Sequence, residues 1–332
     1  MRNRGAREVV MNILMLYTAI PHTTGRYLEK ALREVSTLRS CGPTVSENVL
    51  RAWDLGAISS RVRPHDLPCE RVSAKDVREG LPGFRPDWIL FVESGVWFEM
   101  TILDEWAGPK ACYLIDTHLF PGDHLVLASR FDVVFLAQKA YVEIFRERLG
   151  LPVYWLPLAA DPQIHRPWEV SETFDVAICS SPLPNPDRRS RRLARLGIHC
   201  SLGQKRAFLE EMARFLSSAK LLFNSAVKDD LNMRVFESMA IGKCLLTDPV
   251  PGLLDLFVPD VDLVLYDDVD LVDKLRFLLG HPEARERIAA SGRKKILGSH
   301  TYRHRARSLV RILSDNPGVL SKGEEHAAYS HV

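Results

Sequence analysis

Residues 220–248, KLLFNSAVKDDLNMRVFESMAIGKCLLTD, read as one unit of strand, helix and strand. The apolar runs 220–225 and 243–248 have the length of buried strands, and 232–241 between them has helical spacing. A strand that passes through a helix into another short apolar strand is a βαβ unit. Such units build parallel sheets covered by helices on both faces.

The rhythm extends in both directions. Toward the amino end, NILMLYT (12–18), WILFVE (88–93), ACYLID (111–116) and DVVFLA (132–137) each lead into an amphipathic stretch, among them RYLEKALREVSTL, SGVWFEMTILDEWA, THLFPGDH and QKAYVEIFRERLG. Around the opening unit, FDVAICS (174–180), IHCSL (198–202) and DLVLYD (262–267) alternate with helical stretches at 186–196, 205–218 and 269–279. Between the two series, VYWLPLAADPQIHRPWE (153–169) has three prolines and few helix formers, as a linker does. The expected organisation is an amino domain over 1–158, a linker over 159–172, a second doubly wound domain over 173–315 and a disordered polar tail over 316–332.

Composition narrows the function classes. With 44 Lys plus Arg against 42 Asp plus Glu, the chain has no global positive field to recruit nucleic acid or an anionic membrane. No uninterrupted apolar run approaches the roughly 20 residues that span a bilayer. The start, with Arg2, Arg4 and Arg7 before VVMNILMLYTAI, imitates a signal peptide, but Glu8 and Asn12 interrupt it and no small-residue cleavage site follows. A buried first strand is the expectation. The six cysteines form no C-x-x-C pair, and four lie in strand-like runs, which suits reduced thiols in a cytoplasmic protein.

Ligands of open α/β sheets bind at the carboxyl ends of the strands, so functional residues belong just after a strand or in the first turns of the next helix. The segment 229–237 satisfies this. A helix amino terminus offers unpaired N–H donors and about +0.5 of a charge to a phosphate, and Arg234 adds a fixed cation. Glu237, one to two turns in, can accept two hydrogen bonds from a vicinal diol if its face meets the cleft. The competing reading is a capped helix, with Asp229 and Asp230 in its first turn and Glu237 exposed. His118, shortly after a strand, and Glu93, Ser94 and Gly95 at another strand end occupy comparable positions.

The segment 229–252 resembles the nucleotide-sugar signature of retaining GT-B glycosyltransferases of the group 1, or family 4, type. Asp229 and Glu237 stand at the spacing of that family's acidic pair, followed by SMAIGKCLLTD. LPLAADPQIHRP (156–167) is similar to the family's linker, and DLNMRVFESMAIGKCLLTDPVPGLLDLF with HTYRHRA (300–306) resembles its spore-maturation-protein-like (CgeB-type) subgroup. The resemblance implies a GT-B-like fold, two Rossmann-like domains facing a central cleft. It implies a glycosyltransferase, hexosyltransferase-like and metal-independent, that moves a sugar from a nucleotide diphosphate sugar to an unknown acceptor with retention. That acceptor is a glycan, a lipid-linked sugar, a protein or a small molecule.

By the same resemblance Glu237 binds the ribose, the backbone of Asn232 and Met233 meets the diphosphate, Asp229 contacts the donor sugar, and Gly203 and Gln204 border the base. His118 faces the reacting sugar, and Arg188 or Arg234 grips the diphosphate. Glu93 is the candidate to meet the acceptor from its own place at a strand end, where a helix cap with the permissive Gly95 is the alternative. The sequence departs from the family in having Asp at the first acidic place and no Gly-rich loop there. A non-catalytic nucleotide- or sugar-binding protein on the same fold is therefore the alternative. An NAD-dependent dehydrogenase would need G-x-G-x-x-G after the first strand, which TAIPHTTGRY lacks. No cofactor beyond the donor substrate is expected, and no metal. Asp116, His118, Asp123 and His124 have irregular spacing, and the Asp268-x-Asp270 pair opens a helix.

Overall fold

The computed structural model describes residues 11–178, 195, 198–200 and 207–316. Strands β1 (Asn12–Leu16), β2 (Thr37–Gly42), β3 (Leu67–Pro68), β4 (Arg71–Val72), β5 (Trp88–Val92), β6 (Glu99–Met100), β7 (Lys110–Leu114), β8 (Val133–Leu136) and β9 (Val153–Trp155) belong to the first half. Seven of them form one sheet in the order β3-β2-β1-β5-β7-β8-β9, and β4 pairs with β6 in a separate ladder. All these pairings are parallel. The second half contributes β10 (Phe174–Ile178), β11 (Ala219–Phe223), β12 (Cys244–Thr247) and β13 (Val264–Leu265), a second parallel sheet in sequential order.

Helices cover both faces of the first sheet, so its central strands are apolar throughout rather than alternating. Ile13, Met15, Leu90 and Tyr113 enter one apolar cluster, while Leu14, Leu16, Phe91 and Cys112 enter another. The signal-like run at the start is thus the central strand β1, with Ile13 to Leu16 fully buried. The first cluster continues into the second half through Leu222, Leu245, Phe236 and Leu309. The last helix, Tyr302–Ser314, carries the chain back onto the helix Thr24–Leu32, where Tyr27 stacks on Tyr302 at 5.2 Å. An isolated bridge joins Ala160 of the connecting segment to Thr301.

Two stretches differ from the periodicity. SGVWFEMTILDEWA holds β6 and a single helical turn, Ile102–Glu105, instead of a long helix. Its start is captured by the segment that follows β1: the Thr18 N–H donates to Ser94 Oγ at 3.0 Å, and Thr18 Oγ1 donates to the Val96 carbonyl at 2.9 Å. Gly95, at φ +76°, makes the turn between them. Strand β2 carries Arg39 and Ser40 and has no apolar run to announce it. Its polar positions are satisfied by Asp66, which accepts from the Ser40 N–H at 2.8 Å and pairs with Arg33 and Arg39.

Candidate functional site

The carboxyl ends of β5, β7 and β8 turn toward the loop that follows β11. Glu93, 3% exposed, accepts the N–H groups of Ile115 and Asp116 at 2.6 and 3.1 Å through one oxygen. Its other oxygen lies 3.3 Å from Nε2 of buried His124, whose Nδ1 meets Thr117 Oγ1 at 3.1 Å. Both oxygens of Glu93 are therefore engaged in holding the loop 115–118. Burial and the neighbouring Glu93 charge push the Asp116 carboxyl up to about 6. Beyond it, His118 is 7% exposed, and burial lowers its pKa, which keeps the ring neutral near pH 7.

From the second half, β11 leads directly into Asn224, whose Nδ2 donates to Thr247 Oγ1 at 3.1 Å while its carbonyl accepts the Tyr266 hydroxyl at 3.0 Å. The Ala226 N–H donates to Asp248 Oδ1 at 2.9 Å, which anchors the loop at the end of β12. Lys228 and Asp229 then adopt left-handed backbone, φ 50° and 59°. That turn leaves Asp229 exposed and drives Asp230 inward, to 9% exposure. Asp230 Oδ1 lies 3.8 Å from His118 Nδ1 and accepts from Gln138 Nε2 at 2.9 Å; Gln138 Nε2 also donates to the Ile115 carbonyl. Burial raises the Asp230 pKa to about 6 despite the Gln138 bond.

The helix Met233–Ile241 starts three residues later. Asn232 is its N-cap, and the Asn232 Oδ1 is buried without a hydrogen-bond partner. Met233 Sδ accepts from the Tyr302 hydroxyl at 3.1 Å. Glu237 is not an exposed helix residue: it is 1% exposed, with Arg234 Nη1 at 2.6 Å and His165 Nε2 at 3.1 Å. Its burial alone would raise its pKa, but the charges and hydrogen bonds of Arg234 and His165 outweigh that and hold it at about 2. His165 takes the Asp161 N–H on Nδ1 at 3.1 Å, which leaves Nε2 to carry the proton toward Glu237. The exposed place that the capped-helix reading gives Glu237 is therefore not the one it occupies.

His118, Glu93, Arg234, Asn232, Met233 and Glu237 all lie on the segments that meet at this junction; Asp229 is exposed there, and its neighbour Asp230 is buried. Arg188, Gly203 and Gln204 lie outside the described residues. Sequence reasoning passed over Asp230 as a site residue, along with Gln138, Asp116 and His165. Gln138 stands two positions after β8, the kind of position already singled out after other strands, and His165 lies inside the linker stretch. Among the described residues, no group of three or more His, Cys, Asp or Glu side chains is arranged to hold a metal ion. Asp270 opens the helix Leu271–Gly280, accepts the Asp267 N–H at 2.9 Å and pairs with Lys274 at 2.6 Å.

Residues 186–311 match the sequence family described as Glycosyl transferase-like. No curated protein matches the chain. Among solved structures, Anabaena HepE in complex with UDP is similar at 13% identity, over 92% of this chain and 100% of that one, with a TM-score of 0.60. A glycosyltransferase from Rickettsia africae gives 9% identity, 92% and 98% coverage and a TM-score of 0.62. Sucrose-phosphate synthase from Thermosynechococcus elongatus gives 11%, 92%, 98% and 0.56. At these identities the likeness establishes the fold, a parallel-sheet α/β architecture of the GT-B type with two Rossmann-like sheets.

Proposed function

We propose that this protein transfers a sugar from a nucleoside diphosphate sugar to an acceptor, with retention and without a metal ion. The observation that carries the proposal is the meeting of His118 and Asp230 at 3.8 Å, where strand ends of both sheets converge beside the amino end of the helix Met233–Ile241. The family match over 186–311 and the GT-B fold support a glycosyl-transfer chemistry. Because HepE was crystallised with UDP and with UDP-glucose, a UDP-sugar is the first donor to test.

In this reading the leaving diphosphate takes the helix amino end and the positive field of Arg234, while Asp230 and neutral His118 flank the reacting sugar. Developing charge on the departing oxygen is met by fixed donors that need no reorganisation. Glu93, by accepting the N–H groups of Ile115 and Asp116, sets the position of the loop that carries His118. Glu237 stands behind Arg234, one side chain removed from the diphosphate and in range of the ribose.

Titration with nucleoside diphosphates and their sugars, followed by a donor-hydrolysis assay with and without EDTA, tests the proposal. Saturable binding with slow diphosphate release that persists in EDTA is expected. Loss of turnover on chelation, restored by manganese or magnesium, would overturn the metal-free chemistry. The second reading, a non-catalytic binding protein, is favoured by one observation: Glu237 already has two protein partners. It is distinguished by nucleotide binding with no turnover of any donor.

A further inference from the structure

Cys41 lies in β2 and Cys69 directly follows β3, and the parallel pairing of these strands brings distant parts of the sequence together, with Cys41 opposite Leu67 and the Cys69 N–H donating to the Gly42 carbonyl at 3.0 Å. The two sulfurs stand 3.2 Å apart. Cys41 is fully buried and Cys69 is partly exposed. A disulfide needs about 2.05 Å between sulfurs, so closing the pair requires movement of only about 1 Å. We propose that Cys41 and Cys69 are a reversible modification site, a dithiol that a small disulfide of the glutathione type converts to an intramolecular disulfide.

The chemistry follows from the asymmetry of the pair. The hydrogen bond shared by the two thiols lowers the Cys69 pKa and raises that of Cys41, where burial adds to the rise. The accessible sulfur is thus the better thiolate and attacks first. It breaks the S–S bond of oxidised glutathione, releases one glutathione thiolate and becomes a mixed disulfide. Cys41 then loses its proton, attacks the Cys69 sulfur and expels the second glutathione. Two protein thiols have given up two electrons, and one oxidised glutathione has become two reduced ones. Cys112 and Cys244 offer the contrast: both are buried in strands, and burial pushes their thiols up.

The bond would tie β2 to the segment entering β4. Through the pairing of Val72 with Met100, β4 supports β6, which follows the loop held on Thr18 at the carboxyl ends of β1 and β5. The site stands independently of the glycosyl-transfer reading, since it involves none of the residues assigned there.

The test incubates the full chain, folded, with oxidised glutathione, blocks remaining thiols with N-ethylmaleimide and maps unreduced tryptic peptides. Peptide 40–51 should appear joined to peptide 62–71, lighter than the two free peptides by two hydrogen atoms, and dithiothreitol should separate them. The oxidised protein should also melt higher than the reduced one, because the cross-link restricts the unfolded chain. Cys69→Ser, at a partly exposed position, should lose both the linked peptide and the shift. A Cys69 that stops at the glutathione adduct, thiols that both remain open to N-ethylmaleimide, or a link that forms only in urea would each overturn the proposal.

Discussion

Asp229 and Asp230 are adjacent and chemically identical, yet only Asp230 is desolvated against His118 and Gln138. Asp230→Asn should therefore lower kcat/KM for a donor sugar at least ~10-fold, equivalent to about 1.4 kcal/mol, while Asp229→Asn should stay within about twofold. Asp116 and Asp230 both titrate near 6, so activity that needs the Asp230 charge should fall as pH drops through about 6. Protonation of these two carboxyls does not itself unfold the protein in that window. A carboxyl whose folded pKa is raised stabilises the fold when protonated, and that gain is lost only as pH rises through the folded value. Circular dichroism across the same range checks this. Glu237 behaves oppositely: its contribution is present above 4.5 and lost as pH falls toward about 2. Glu237→Gln should cost about 2–3 kcal/mol in urea unfolding, since it removes the buried counter-charge that Glu237 supplies to Arg234. If the carboxylate also takes the ribose, nucleotide affinity falls ~10-fold or more by calorimetry.

Among elements, the helix Pro282–Ser299 is held close to the second sheet by a glycine. A Cβ on Gly292 would lie 2.3 Å from the Asp262 carbonyl oxygen and 3.0 Å from Met239 Cε. The methionine can swing aside, but the backbone oxygen cannot, so the helix must shift. Gly292→Ala should destabilise the protein by about 2–3 kcal/mol in urea unfolding, as overpacking of a tight contact does. Gly298 on the same helix meets nothing within 4 Å. Gly298→Ala should be neutral or stabilising by up to about 1 kcal/mol, because only its helix propensity changes. Equal effects at the two positions would refute the packing argument. The helix Met233–Ile241 packs against this same helix, so the position of its amino end depends on that contact.

At the scale of the molecule, Arg305 joins the last helix to the segment between the two sheets. Its Nε donates to the Pro157 carbonyl at 2.6 Å and its Nη2 to that of Leu158 at 3.0 Å, at 6% exposure. Burial lowers even this guanidinium to about 10. Arg305→Met would leave two buried carbonyls without donors and should cost about 3–5 kcal/mol, measured by urea unfolding. His300 Nδ1 accepts from Arg305 Nη2 at 3.1 Å, so a proton there would oppose the cation, and burial and Arg305 hold the His300 pKa at about 3. The folded pKa lies below the ordinary 6.5, so the unfolded chain takes up the proton first and His300's contribution is lost as pH falls from 6.5 toward 3. His300→Asn, which keeps an acceptor but not the titration, should show a shallower loss of urea midpoint on acidification below 6.5 than the parent protein.

Parallel strands such as β1, β5, β7 and β8 are buried on both faces, so each must be an apolar run, and the alternation of such runs with helical periodicity is local information. That is why the sheets and the helix Met233–Ile241 could be read from the chain alone. Strand β2 escaped because its polar residues are satisfied by Asp66, from outside the strand. The site divides in the same way. That functional residues follow strand ends is a consequence of the βαβ unit, and it points to 229–237 and His118. Which of two neighbouring aspartates turns inward depends on the left-handed backbone at Lys228 and Asp229, and Asp230 meets Gln138 across 92 positions of sequence. Glu237 is likewise paired with His165, a residue of the connecting segment. Periodicity reports a residue's own element, while these contacts arise between elements that only folding brings together.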